Sequence, residues 1–427
     1  MLHSFTRGYY TPSFYRLVVN AIYDLADLDE LENERLPFST FFHEYLHFLQ
    51  DISTSFGLMN GMIILNEVKY FNAYAINQKG SFDIPIPLNN NPDVEISRQM
   101  RIVYMGSVIG DNLDKVQFVR KVESNVVLPA PFNKKLEKVV VGFRKTDGSI
   151  KEVDFGGLAL VESMAHIAQT HFYPEVNHDS IPYKLAQLVA NHIYPEFAKN
   201  NLYVFALCDA CLLTFHPGLT FYEFLHGIKN DSKIPHSEEE VYEMFFSTVS
   251  GNGKSILNLF CESSDQAQIE FTHYFTTDLY NNEKDWIVSI LERAKQFRLK
   301  NPSFLLELLK QEKANSYYFK QIIRELGSPL IQNINTNTHI FIPQGFDHIP
   351  IRVDIFSAIG EIFKVFDSGK CECALINYCR NSENGNITDE RCKSEPWTRS
   401  RDVQLCGFGI LWKMWGLGET RPKTNPY

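Results

Sequence analysis

The stretch FFHEYLHFLQD (Phe41–Asp51) sets two histidines, a glutamate and an aspartate inside a run that is otherwise largely aromatic and aliphatic. Either these polar groups line the solvent face of an ordinary amphipathic helix, or they hold a metal. The spacing favours the metal. His43 and His47 are four apart, so on a helix they stand one turn apart on the same face. Two imidazole nitrogens placed in that way can reach one ion at the ~2.0–2.1 Å that a Zn–N bond requires. Glu44 is rotated about 100° round the helix from His43, close enough to touch a water on the ion without displacing it. Phe41, Phe42, Leu46, Phe48 and Leu49 would bury the segment, where unpaired histidines are penalised.

Working outward, Pro37 marks the helix entrance, and Gly57 ends STFFHEYLHFLQDISTSFG as a natural terminator. Upstream, FYRLVVNAIYD (14–24) is β-branched and aromatic enough for a strand, and a short helix fits almost as well. Downstream, MIILNEVKYFNAYAINQ predicts a helix over 62–78, and 80–114 is rich in turn residues. Strands follow over about 115–155. There EKVVVGFRK, the turn TDGS and IKEVDFG read as a hairpin with Asp-Gly at the bend. After Gly156-Gly157, LALVESMAHIAQTHF returns to helical spacing, and most of 180–330 does the same. A mixed segment, HIFIPQGFDHIPIRVDIF, leads into a Cys-rich tail from about 370. The chain reads as α+β with helices in the majority and without internal repeats.

A chain of 427 residues exceeds the size at which one core usually stops growing. The expected division is a catalytic region over 1–230, a helical subdomain over 231–330 and a mixed region over 331–427. With 44% hydrophobic and 22% charged residues, the composition is that of a globular protein. A net charge of −10 and the absence of any Lys/Arg run argue against nucleic acid or an anionic membrane as partner. MLHSFTRGYYTPSFYRL lacks a basic stretch followed by an apolar one, and no apolar run reaches the roughly 18 residues of a bilayer span. A cytoplasmic location is therefore expected. There the eight cysteines would be reduced thiols or metal ligands, and the sequon at Asn386 would be silent. Nothing in the composition sets an oligomeric state.

The pattern His43-Glu44-x-x-His47 is the HExxH arrangement of zinc metalloproteases. With 13 histidines in the chain, chance supplies one about 0.02–0.03 times. Zinc lowers the pKa of its water toward ~7, and the glutamate takes the proton as the water attacks a carbonyl. A third protein ligand is needed. Gln50 and Ser53 stand where a metzincin would carry Gly and His, and no cysteine precedes His43. The remaining common choice is a glutamate on a separate helix. Glu162 in LALVESMAHIAQ is the best candidate, a lone carboxylate in an apolar helix, with Glu152, Glu175 and His166 next.

On HEYLH, and less on ESMAH, the chain resembles the gluzincins, the HExxH-plus-Glu zinc peptidases that include thermolysin-like enzymes and clostridial neurotoxin light chains. The resemblance implies a zincin-like core with a short antiparallel sheet and two active-site helices. It implies His43, His47 and Glu162 as ligands of one catalytic Zn2+, Glu44 as general base, and a peptide or protein substrate. Many members place an aspartate four residues after the ligand glutamate to orient a histidine. His166 stands there in this chain, and Asp51, one turn beyond His47, is the expected replacement. His171, Tyr173, His178 and Tyr183 are the candidate oxyanion partners. The competing readings are a zinc hydrolase acting on another bond, or a non-catalytic site closed by His166 as fourth ligand.

Two further motifs are weaker. TVSGNGKS (248–255) ends like a phosphate-binding loop, but it starts with Thr248 rather than glycine and follows a helical segment. CDAC (208–211) lies in an apolar helical stretch and reads as buried thiols. In the tail, Cys371, Cys373, Cys379, Cys392 and Cys406 give C-x-C-x5-C-x12-C-x13-C. Ordinary reduced thiols and a second, structural zinc on the first four both fit that spacing.

Overall fold

The computed structural model describes residues 8–21, 26–88, 91–107, 110–129, 133–251, 253–275, 277–333, 338–381 and 388–424. Asn386 lies outside them. The fold is α+β with helices dominant, as the sequence predicts. The N-terminal strands β1 (Gly8–Thr11) and β2 (Arg16–Val19) precede helices α1 (Leu28–Asn33), α2 (Arg35–Ser53) and α3 (Ser55–Asn77). Then come β3 (Ser81–Ile84), α4 (Pro92–Met105), β4 (Val116–Val127), β5 (Lys135–Arg144), β6 (Ile150–Phe155) and α5 (Gly157–Phe172).

The helix that carries the HExxH pattern is buried all round. Every residue from Phe38 to Ser53 is buried, because β1, β2, α1, α3 and α5 surround it. An amphipathic helix with a solvated polar face is thereby ruled out. Its end differs from the expectation. The break falls at Thr54, whose extended backbone (φ −132°, ψ 148°) stops α2 and whose side chain caps α3 through the Gly57 N–H. Gly57 is thus inside the next helix. A Cβ there would stand 2.5 Å from Asp51 O, so glycine permits the tight corner between the two helices. Helix α3 consequently starts at Ser55 rather than near 62. The turn-rich 80–114 also contains a helix, α4, which Asn91 caps and Pro92 opens.

The hairpin forms as predicted. Strand β5 pairs antiparallel with β6 from Val139↔Phe155 to Arg144↔Ile150, and Gly148 takes φ +83° in the bend. Strand β4 pairs antiparallel on the other side of β5, giving the order β4-β5-β6. The chain then passes directly from β6 into α5. A Cβ on Gly157 would stand 2.2 Å from the Phe56 ring, so glycine lets α5 start hard against α3.

The middle of the chain is helical: α6 (Leu185–Ile193), α7 (Pro195–Ala198), α8 (Asn201–Leu212), α9 (Pro217–Asn230) and α10 (Glu238–Thr248). A two-stranded ribbon, β7 (Ser250–Gly251) and β8 (Lys254–Ser255), leads to α11 (Ile256–Thr272), α12 (Asn281–Lys300), α13 (Leu306–Leu309) and α14 (Tyr317–Leu326). The last part comprises β9 (Leu330–Asn333), β10 (Thr338–His339), α15 (Asp354–Ser368), α16 (Ile376–Asn381), α17 (Arg391–Ser394), α18 (Gly407–Met414) and β11 (Arg421–Thr424). Two pairings not foreseen from the sequence join distant segments. Strand β2 runs parallel to β9, from Arg16↔Leu330 to Val19↔Asn333, and β3 runs parallel to β11. Period-2 patterning in four-residue strands is too short to announce such partners.

A buried ion pair fixes the far end of α2. Arg298 on α12 donates to both oxygens of Asp209 on α8, at 2.7 and 2.9 Å, and both side chains are fully buried. Tyr242 Oη also donates to Asp209, and Arg298 reaches Ser53 O at 3.3 Å. None of the described helices is long and apolar enough to cross a membrane.

Candidate metal centre

Helices α2 and α5 cross so that three donor atoms meet. His43 Nε2 and His47 Nε2 each stand 3.5 Å from the same Glu162 oxygen. The ligand atoms of these three residues lie within 4.8 Å of one another, and among the described residues no other set of three His, Cys, Asp or Glu groups does so. Bonds of about 2.1 Å at tetrahedral angles put neighbouring donors about 3.4 Å apart. The two 3.5 Å separations match that edge length, so the residues fit a zinc ion.

The ring orientations fit as well. His43 Nδ1 faces Gln169 Oε1 at 3.1 Å, and His47 Nδ1 faces Gln50 Oε1 at 2.8 Å. An amide oxygen accepts only, so each ring donates its Nδ1–H there and leaves Nε2 to the ion. The amide nitrogens are also used. Gln50 Nε2 donates to Val161 O at 3.2 Å, beside Glu162, and Gln169 Nε2 donates to Ser39 O at 3.1 Å. Each helix therefore supplies a glutamine that orients a histidine on α2, and each amide bonds backbone of the opposite helix.

This arrangement corrects one expectation. Asp51 does not orient His47; Gln50 does. Asp51 instead accepts from Tyr10 Oη at 2.9 Å and from the Ser13 N–H at 2.6 Å, and burial raises its carboxyl to about 6. Its partners belong to β1 and the turn after it, and they tie that strand to α2. Neither glutamine stands out in the sequence. The available signal was an amide on an apolar helix face, Gln50 three residues after His47 and Gln169 seven residues after Glu162.

Without an ion, His47 and Glu162 form an ion pair. Burial opposes the charge on His47, yet Glu162 and its hydrogen bond outweigh it and hold the imidazolium up to about 9. Burial likewise opposes the Glu162 carboxylate, and the two histidines hold it well below the usual range. Glu44 is buried in the same helix turn. Burial raises its carboxyl above the ordinary value, partly offset by His43 and His47 and by the Tyr10 backbone N–H.

His166 does not join the donors. Its Nδ1 stands 3.1 Å from His178 Nδ1, and burial, followed by the charges of His178 and His43, lowers it to about 3. Glu152 and Glu175 are not at the site either. Glu152 pairs with Arg120 at 3.0 Å, and Glu175 pairs with Arg35 at 2.5 Å. Of the four expected oxyanion partners, the structure brings two to the site. His178 and Tyr183 stack at 4.2 Å and lie 5.8 and 6.0 Å from the His43 ring. Tyr173 sits under the Arg35 guanidinium, and His171 packs on Phe172.

The weaker motifs resolve simply. Cys208 and Cys211 are fully buried in α8, and burial raises both thiols. Of residues 248–255, Ser250–Gly251 and Lys254–Ser255 pair as the β7–β8 ribbon between α10 and α11, Asn252 lies outside the described residues, and Lys254 pairs with Glu262 at 2.6 Å. Comparison of the chain with family models, curated proteins and solved structures finds no match.

Proposed function

We propose that this chain is a zinc-dependent metallopeptidase of the gluzincin type, acting on a peptide or protein substrate. The observation that carries the reading is the pair of 3.5 Å approaches of His43 and His47 to one Glu162 oxygen. On this reading α2, α5 and the β4-β5-β6 sheet are a zincin-like core. His43, His47 and Glu162 would hold the zinc, which when bound would supply Lewis acidity toward the scissile carbonyl and a water. His43 and His47 present Nε2 because Gln169 and Gln50 take the Nδ1 protons. Glu162 supplies the single negative charge of the ligand set. A set of three protein donors is what a catalytic zinc would use, whereas a structural zinc would use four.

Glu44 is the general base. Its carboxyl, raised by burial, matches a proton-transfer role near neutral pH better than an exposed glutamate would. It removes a proton from the attacking water and passes it to the leaving amine as the C–N bond breaks. Tyr183 and His178, whose rings lie 6.0 and 5.8 Å from that of His43, are the candidates to donate to the developing oxyanion. Strands β4 and β6 are the edges of their sheet, where an extended substrate can add by backbone pairing.

Glu44→Gln tests this directly. It should keep the metal and lower hydrolysis by about 10²–10⁴-fold, whereas His43→Ala should lose the metal. Cleavage of a peptide library read by mass spectrometry, with metal analysis of the same samples, measures both. Equal turnover by Glu44→Gln and the parent sinks the mechanism.

A further inference from the structure

The tail carries a second concentration of cysteines, and the fold ties together the segments that hold four of the five. Cys373 precedes α16, Cys379 lies in it, Cys392 lies in α17, and Cys406 caps α18. Cys373 and Cys392 are buried and Cys379 and Cys406 half-buried. Three ties connect them. The Cys373 backbone N–H donates to Cys392 O at 2.9 Å. Asp354 serves as a common anchor: Tyr378, next to Cys379, hydrogen-bonds its carboxylate, and a Cβ on Gly407, next to Cys406, would stand 3.3 Å from its Oδ2. Finally Arg391, next to Cys392, donates to Asp402 at 3.0 Å, four residues before Cys406.

Burial raises the Cys373, Cys379 and Cys406 thiols, and local contacts offset part of that rise. Cys406 Sγ accepts the Gly409 N–H at 3.4 Å, and the Leu375 N–H bonds Cys373. Backbone donors of this kind favour the thiolate over the thiol. Arg352 and Arg399 act in the same direction on Cys379 and Cys406. The fifth cysteine is turned away, its Sγ directed at Gly369 O at 3.4 Å.

We propose that Cys373, Cys379, Cys392 and Cys406 form a tetrahedral structural zinc site, with Cys406 in the place that sequence order alone gives to Cys371. Four thiolates select zinc over the hard cations, and no position is left for water. The tail closes on the ion rather than receiving it ready-made, since among the described residues only the histidine centre already has three donors within 4.8 Å. On binding, the four thiols release their protons to solvent and four Zn–S bonds of about 2.3 Å form; no atom changes oxidation state.

The test uses the full chain carrying His43→Ala and His47→Ala, purified with reductant, so that the peptidase reading plays no part. Metal analysis should find about one zinc per chain, and cobalt exchanged for it should show thiolate-to-metal absorption of a four-sulfur site. Adding Cys373→Ser or Cys406→Ser should remove the ion, and adding Cys371→Ser should leave it. The proposal is overturned by a chain without zinc or by disulfides found by mass. Retention by Cys406→Ser with loss by Cys371→Ser overturns it equally. If the serine variants do not fold, the cobalt spectrum of the cysteine-intact chain decides: absence of sulfur bands rejects the site.

Discussion

The histidine centre and the cysteine tail are the two places proposed to hold a soft divalent ion, and they are built by opposite means. The first places its ligands on helices of 19 and 16 residues whose crossing is buried. Both histidine rings are oriented by amides that are themselves bonded to backbone. The second spreads its cysteines over and beside helices of only 6, 4 and 8 residues. Short helices have little stability of their own. In the first region orientation is settled as the chain folds; in the second, binding of the proposed ion and local folding would be one equilibrium. Damage to the scaffold should therefore read out differently. Near the histidines it should change metal affinity in a folded protein, and in the tail it should change local order.

The largest effect should come from the ion pair behind α2. Arg298→Met leaves the buried Asp209 carboxylate without its cation and removes the bond to Ser53 O at the end of the metal helix. Breaking one side of a buried pair costs about 3–5 kcal/mol. Denaturant unfolding should show that loss. An unchanged midpoint would mean that α2 does not depend on this brace, and the preassembled half of the contrast would fail.

Next are the two amides. Gln50→Leu and Gln169→Leu each remove a ring acceptor and a contact between the helices. Each should weaken zinc binding about 10–100-fold, measured against a competing chelator, with the fold intact. Their carboxylate counterparts should not substitute well. A glutamate side chain cannot donate to Val161 O or Ser39 O, which the amide nitrogens now satisfy. If Gln50→Glu binds zinc as the parent does, the cross-helix bond is irrelevant to the site.

The parts of this structure that were legible in the sequence are those with local causes. The four-residue histidine spacing, the isolated carboxylate in LALVESMAHIAQ and the Asp-Gly bend each constrain geometry within a turn or two. The helix break at Thr54 was hidden because threonine capping and glycine termination give similar local signals, and tertiary packing chose between them. The pairing of β2 with β9 links residues more than three hundred positions apart, which no short pattern encodes. Gln50 and Gln169 escape a reading of the sequence because an uncharged amide acquires its meaning only when the helices cross. The proposed place of Cys406 instead of Cys371 rests on the same kind of contact, since chain order does not reveal which way a thiol points.

Acidity gives a smaller and more diagnostic effect. In the metal-free chain His47 titrates near 9, above its unfolded value of about 6.5. Its ion pair therefore stabilises the fold fully below about pH 6.5, and that contribution is lost as pH rises through about 9. Thermal unfolding after chelation should fall across that window, and His47→Ala should flatten the slope. Asp51, raised to about 6 by burial, also destabilises as pH rises, but over about pH 4–6. Zinc replaces the His47 proton, so uptake near pH 7.5 should release a proton and tighten as pH rises. A slope that survives in His47→Ala would assign it elsewhere.

The smallest effect should come from Arg35. It donates to Glu175 at 2.5 Å and lies over the Tyr173 ring, a geometry that ties the start of α2 to the segment after α5. Both charged groups, however, are well exposed, at 59% and 41% of their side-chain surface. An exposed pair loses most of its attraction to water and salt, and ordering two long side chains offsets much of the remainder. It touches neither histidine nor either orienting glutamine. Arg35→Ala should thus leave zinc affinity unchanged and alter thermal stability only slightly, with the small difference vanishing in high salt. Measured beside Gln50→Leu, it asks whether the two helices need merely to be held together or to be held through the ligands. A loss of zinc affinity in Arg35→Ala comparable to that in Gln50→Leu would favour the former and remove the special role given to the amides.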